Sequence, residues 1–104
     1  MYIVIYAFKV KSNKESSFLE SWRALTKLIY QYEGSLGSRL HKKEPLLFIA
    51  YAQWPDSKTF ENAGKNLPIE ANTYRDTMRN ACESIEVLEK LEVTDDLLMK
   101  KVYD

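Results

Sequence analysis

The chain opens with a segment in which both alternating sets of positions are apolar. Residues 2–10 are dense in β-branched and aromatic side chains. Because successive side chains of a strand point to opposite faces, this pattern is typical of a strand that is covered on both sides. We therefore predict a first strand over 2–10 whose two faces each pack against another layer.

Helical spacing follows this strand. Apolar side chains recur every three or four positions, which is the period of an amphipathic helix. These positions are Phe18, Trp22, Leu25, Ile29 and Tyr32. Ser12 and Glu15 have the spacing of a capping box, and Gly34 supplies a stop signal. The pattern predicts one helix of about five turns between them.

Two further strands are predicted over 36–42 and 46–54, joined as a hairpin through Pro45. Asp56 then offers an N-cap to a short helix that ends at Gly64. A longer helical pattern covers 69–83, and alternation from Ile85 onwards predicts the last strand. The predicted order is therefore βαββααβ.

This order predicts an α+β domain of the ferredoxin-like type over 1–93, with helices on one face of a four-stranded antiparallel sheet. The other face keeps apolar side chains, so we expect two protomers to pack sheet against sheet as a homodimer. A tail over 94–104 carries Leu97, Leu98 and Met99. It either reaches across such a dimer or packs on its own subunit.

Composition and charge restrict the range of partners. The chain has 104 residues, 45% of them hydrophobic, and fifteen basic residues balance fifteen acidic ones. This balance gives no reason to expect nucleic acid or a membrane as a partner. With one cysteine, Cys82, and one histidine, His41, the chain offers neither an internal disulfide nor a metal site. We expect a cytoplasmic protein, with Cys82 filling the core.

Several stretches in this order resemble the antibiotic biosynthesis monooxygenase domain family, whose members form dimeric α/β barrels. The stretches are 2–11, Trp22-Arg23, 34–38, 54–57 and Phe60-Glu61. The resemblance implies the same fold and a cavity between sheet and helices. Relatives include quinol and anthrone monooxygenases that need no cofactor, heme-degrading enzymes, and isomerases.

The heme-degrading branch can be compared residue by residue. Its members carry an Asn late in the first strand, a Trp after the short helix's Phe, and a His ten residues beyond. The matching positions are Ala7, Ala63 and Thr73. The resemblance therefore argues against heme, and we expect no cofactor.

By the same resemblance, the odd-numbered residues Ile3, Ile5 and Ala7 should point into the cavity, and the even-numbered ones should face the partner sheet. Candidate catalytic residues are His41, Arg39 and Asn62, because imidazole can accept a phenolic proton and guanidinium can hold the resulting anion. Candidate substrate-binding residues are Ala7, Trp22, Tyr51, Ala63, Tyr74 and Met78. Each also has a plainer interpretation, as a packing residue or as an exposed surface residue.

The sequence is compatible with three functions. The first is cofactor-independent oxygenation of a small quinol-like or polyphenolic compound. The second is a binding or regulatory module that uses the same cavity without chemistry. The third is an isomerase or other acid/base enzyme centred on His41.

Overall fold

The computed structural model describes residues 1–99 and has the predicted order of elements. The strands and helices are β1 (Tyr2–Val10), α1 (Glu15–Tyr32), β2 (Ser38–Glu44), β3 (Leu47–Trp54), α2 (Ser57–Glu61), α3 (Glu70–Asn80) and β4 (Cys82–Glu92). The strands form one antiparallel sheet in the order β2-β3-β1-β4. The predicted ferredoxin-like α+β fold is confirmed. Among residues 1–99, no helix is long and apolar enough to span a membrane.

The start of α1 differs from the prediction. The helix begins at Glu15, its N-cap is Lys14, and no side chain caps it. Asn13 has a φ of 65°, so a tight turn separates Ser12 from the helix and the predicted capping box is wrong. The predicted stop signal of α1 is confirmed, since Gly34 follows the helix with a φ of 79°. The predicted N-cap of α2 is confirmed as well, because the Asp56 carboxylate accepts the N–H of Thr59 at 2.7 Å.

The junction between α3 and β4 also differs. The helix ends at Asn80 and the strand begins at Cys82, three residues before the predicted Ile85. Cys82 pairs with Val10 across the sheet, and the Ala81 carbonyl accepts the N–H of Lys11 at 2.8 Å. Pairing with β1 therefore overrides the helical spacing. Cys82 lies in the core, as predicted.

The orientation of β1 is the reverse of the predicted one. Its even-numbered side chains face the helices, and the ring centroid of Phe8 lies 5.1 Å from that of Phe18 on α1. Val4 is fully buried on the same side. Both alternating sets are apolar, so hydrophobicity alone does not decide which set faces the helices. The bulkier aromatic set fills the deeper space beneath α1.

The face of the sheet away from the helices carries a half-buried apolar surface, which we call the open face. It consists of Ile5, Ala7, Leu47, Ile49 and Tyr51. After β4, the chain passes this face near Met1 and Tyr51. A gap separates these two residues from the passing chain. Leu97, Leu98 and Met99 are 80–91% exposed there. The rest of the predicted tail, 100–104, lies outside the described residues.

Candidate functional site

A cavity of about 170 Å³ lies between the helix-facing side of the sheet and helices α1 and α3. Its lining is mostly apolar. The lining residues are Tyr6, Phe8, Trp22, Leu25, Thr26, Ile29, Ser35, Ser38, Ala50, Ala52, Trp54, Met78 and Ile85. A largely apolar pocket with a few polar atoms is the usual form of a small-molecule site.

The cavity arises from a run of small side chains in the middle of β3. Ala50 and Ala52 face the helices between the bulky Phe48 and Trp54. Across the strand pair, Ala50 lies opposite Tyr6 and Ala52 lies opposite Val4. Small residues at these positions leave the space that a larger pair of side chains would fill.

Trp54 supplies a polar atom without a partner. The residue is 4% exposed, and its indole N–H finds no hydrogen-bond acceptor among the described residues. The ring of Phe60 packs against it edge-on, with centroids 5.5 Å apart. A buried donor without an acceptor costs about 1–3 kcal/mol. The nitrogen is closed off from solvent, so a ligand oxygen would remove that penalty only if neighbouring side chains of the lining moved.

Tyr6 brings a second donor to the cavity. Its ring stacks on that of Phe8 at a centroid distance of 6.1 Å. Burial raises the pKa of the Tyr6 hydroxyl above its ordinary value, because the phenolate would lose solvation. The hydroxyl therefore stays protonated near neutral pH and can donate a hydrogen bond, but it is a poor base.

The serine hydroxyls at the cavity wall already have backbone partners. The hydroxyl of Ser35 accepts the N–H of Gly37 at 3.0 Å, and that of Ser38 donates to the Tyr51 carbonyl at 3.0 Å. Within the described part of the chain, residues 1–99, the lining contains no carboxylate, imidazole or amine. The cavity is thus equipped to donate hydrogen bonds and has no side chain that would act as a general base near neutrality.

The structure places the predicted site residues in three locations. Trp22 and Met78 line the cavity. Arg39, His41 and Tyr51 follow the odd positions of their strands, on the face of the sheet away from the helices. The imidazole Nδ1 of His41 lies 3.1 Å from the Ile49 carbonyl, and the residue is exposed.

The remaining candidates lie around the cavity without entering its lining. Asn62 is exposed at the end of α2, where its side chain accepts a hydrogen bond from Lys65. Ala63 packs against the core beside Trp54, and Tyr74 is half-buried on α3. Ala7 belongs to the open face. Sequence reasoning gave Tyr6 no place in the cavity, because it assigned that residue to the opposite face.

A buried carboxylate fixes the loop between α2 and α3. Glu33 is 7% exposed and lies just beyond the last turn of α1. Its side chain accepts the backbone N–H groups of Gly64 and Asn66 and the Asn66 amide. These bonds hold the loop next to Ala63, which packs on the Trp54 cluster.

Comparison with known proteins assigns the chain to a family. The sequence model for antibiotic biosynthesis monooxygenases matches residues 1–66, which is more than half of the chain. The chain belongs to the antibiotic biosynthesis monooxygenase family. The matched region contains β1, α1, β2, β3 and α2, and so includes both Tyr6 and Trp54. No curated protein matches the chain.

Solved structures of other proteins share the fold. SnoaB from Streptomyces nogalater, a cofactor-independent oxygenase, superposes with a TM-score of 0.75 at 13% identity, over 92% of this chain and 95% of SnoaB. A protein from Nitrosomonas europaea, provisionally assigned as an antibiotic biosynthesis monooxygenase, gives a TM-score of 0.72 at 20% identity. That match covers 89% of this chain and 98% of the other.

Proposed function

We propose that this family member oxygenates a small quinol-like or polyphenolic compound in the cavity beneath α1, without a cofactor. The observation that carries the proposal is the buried indole N–H of Trp54, which has no acceptor among the described residues and belongs to a residue of the mostly apolar lining. SnoaB, which shares the fold, is a cofactor-independent oxygenase. The family and the donor-equipped cavity together support this chemistry.

The residues of the cavity would act by stabilising a substrate anion. A phenolate or enolate oxygen placed at the indole N–H of Trp54 and the hydroxyl of Tyr6 gains two hydrogen bonds in a water-poor site. The lining holds no base, so the substrate loses its proton by its own ionisation or to water. The donors favour this step because they bind the anion better than the neutral phenol.

The substrate itself supplies the electrons. Its anion gives electrons to dioxygen, a carbon–oxygen bond forms at the ring, and the oxygen–oxygen bond breaks with release of water. For a 1,4-quinol, one oxygen atom enters a ring C–H bond, the other becomes water, and the quinol becomes a hydroxyquinone. The four electrons that dioxygen requires all come from the quinol.

Substitution of Trp54 tests this proposal. We expect Trp54→Phe to keep the fold, because the ring still packs on Phe60, and to lower kcat for oxygen uptake about 100-fold, the usual effect of losing one oxyanion donor. Tyr30→Phe is the matched control, since Tyr30 is 44% exposed on α1. Equal rates in wild type and Trp54→Phe would refute the role of the indole.

The absence of a base from the cavity lining favours a second candidate function, a binding or regulatory module that holds an aromatic compound without changing it. The two functions differ in what leaves the site. Native mass spectrometry of the purified protein would show an intact aromatic ligand for the binding module. Oxygen uptake with a quinol panel would show turnover for the oxygenase.

The open face supports a further part of the proposal, a homodimer. Five half-buried residues cover the middle of the sheet, and no helix of residues 1–99 packs on them. A second copy of the chain would bury this surface, and the exposed Leu97, Leu98 and Met99 would pack against that copy. We place this dimer in the cytoplasm, with no nucleic acid or membrane partner.

A further inference from the structure

The volume of the cavity limits the ligand it can hold. At about 170 Å³ it is close in size to an engineered apolar cavity of about 150 Å³ that binds benzene. A fused two- or three-ring compound needs considerably more space than one ring. The cavity is partly open to solvent, so its volume limits the part of the ligand that lies beneath α1, and that part matches a single aromatic ring with small substituents.

Tyr6 occupies the position that sets this limit. One core cluster contains Phe8 and Ala50, and a second contains Val4, Ala52 and Trp54. The half-buried ring of Tyr6 packs against both clusters. It therefore stands at the junction of the two halves of the core, where the cavity would otherwise extend along the sheet.

The other strand residues of the cavity wall have little freedom to retreat. Phe8, Ala50 and Trp54 are at most 4% exposed and belong to the two central strands. Met78 on α3 is flexible, but rearranging an unbranched side chain gains only a small volume. Enlarging the cavity by a whole ring therefore requires the removal of an aromatic side chain. Of the two aromatic residues of β1 that line the cavity, Tyr6 is less buried than Phe8.

We propose that Tyr6 determines substrate size, so that this protein takes monocyclic quinols and excludes fused polycyclic ones. The inference rests on the proposed function for the identity of the substrate as a quinol. Tyr6 lines the cavity, so its hydroxyl can bind one oxygen substituent of the ring.

Anaerobic binding to a ladder of quinols tests the inference. The probes are 1,4-dihydroxybenzene, 1,4-dihydroxynaphthalene and 9,10-dihydroxyanthracene, and tryptophan fluorescence with calorimetry gives Kd. We expect wild type to bind the single-ring quinol at least about 10-fold more tightly than the larger probes, a difference of about 1.4 kcal/mol. Tyr6→Ala should reverse this order by opening the cavity.

Two further variants distinguish the effect of the Tyr6 ring on cavity size from the effect of its hydroxyl on hydrogen bonding. Tyr6→Phe removes the hydroxyl and keeps the ring, so it should weaken binding of the single-ring quinol but still reject the larger probes. Tyr30→Ala, on the exposed side of α1, should behave as wild type. If Tyr6→Ala fails to fold, Tyr6→Leu provides a smaller enlargement with the same expected direction.

Two results with the quinols would overturn the inference: equal binding of all three by wild type, or an unchanged order of affinity in the folded Tyr6→Ala or Tyr6→Leu variant. A second ladder, toluene and naphthalene, measures size alone because it has no hydroxyl. Binding of toluene but not naphthalene, together with failure to bind any quinol, would refute the proposed function and leave the size limit standing. Binding of naphthalene as tightly as toluene would overturn the size limit itself.

Discussion

Tyr6 and Ala7 are adjacent in the chain and lie on opposite faces of the sheet. Tyr6 packs beneath α1 and lines the cavity, whereas Ala7 belongs to the open face. Arg39 and His41 lie on the same face as Ala7, whereas Trp22 and Met78 line the cavity. Trp22 also lines a groove along the edge strand β2 together with Arg39 and His41. The position of a residue in the pleat therefore decides whether it can reach a bound substrate, whatever its chemistry.

His41 provides a direct test of this point. Its imidazole is exposed and lies beside the Ile49 carbonyl, on the face away from the cavity. We expect His41→Ala to leave kcat and KM for oxygen uptake within about twofold of wild type, since no contact with substrate is lost. The pH profile should follow the ionisation of the substrate in both proteins. A large loss of kcat would instead favour the acid/base enzyme centred on His41.

Cys82 should be chemically inert in the folded protein. Burial raises the pKa of its thiol to about 11, and the nearby charge of Lys11 opposes this only in part. The neutral thiol is favoured on folding, so this contribution to stability is complete below the unfolded pKa of about 9 and is lost as the pH rises towards 11. A disulfide reagent at mildly alkaline pH should modify Cys82 slowly in native protein and rapidly in denaturant. Rapid modification of native protein would contradict its buried position.

Among the elements, the loop between α2 and α3 depends on one carboxylate. Glu33→Ala would leave the backbone N–H groups of Gly64 and Asn66 without their acceptor, so we expect a loss of about 1–3 kcal/mol in the free energy of unfolding. Glu20→Ala, at an exposed position of α1, should cost much less. Chemical denaturation of wild type and both variants measures these free energies of unfolding. Equal stability would show that the Glu33 bonds contribute nothing.

The order of elements was predictable because the spacing of apolar side chains differs clearly between strands and helices. Alternation marks β1 and β3, helical spacing marks α1, and Gly34 and Asp56 carry local signals that hold in the structure. The start of β4 was not predictable from local pattern, because it depends on pairing between Cys82 and Val10. Local propensity cannot report a contact between residues so far apart in the chain.

The candidate site was predictable only in part, for a related reason. Helical spacing places Trp22 and Met78 on the inner faces of their helices, and both line the cavity. On β1 both sets of side chains are apolar, so the pattern could not distinguish Tyr6 from Ala7 as the inward residue. Trp54 belongs to one of the stretches that carry the family resemblance, but its unpaired N–H is visible only in three dimensions.

At the scale of the whole molecule, the open face should join two protomers. Ile49 lies on this face in the central part of the sheet. We expect Ile49→Lys to convert a dimer into monomers, because a lysine there would bury an unpaired charge in the interface. Sedimentation velocity of wild type and variant measures this directly, with the exposed Lys27→Gln on α1 as control. A wild-type monomer at micromolar concentration would contradict the proposed dimer.

The most direct test of the oxygenase proposal follows both atoms of isotopically labelled dioxygen during turnover of a single-ring quinol. The proposal predicts one labelled oxygen atom in the hydroxyquinone and one in water, with no added cofactor and with the rate strongly reduced in Trp54→Phe. Release of labelled hydrogen peroxide with an unlabelled quinone, or no oxygen uptake by a protein that binds the quinol, would contradict it.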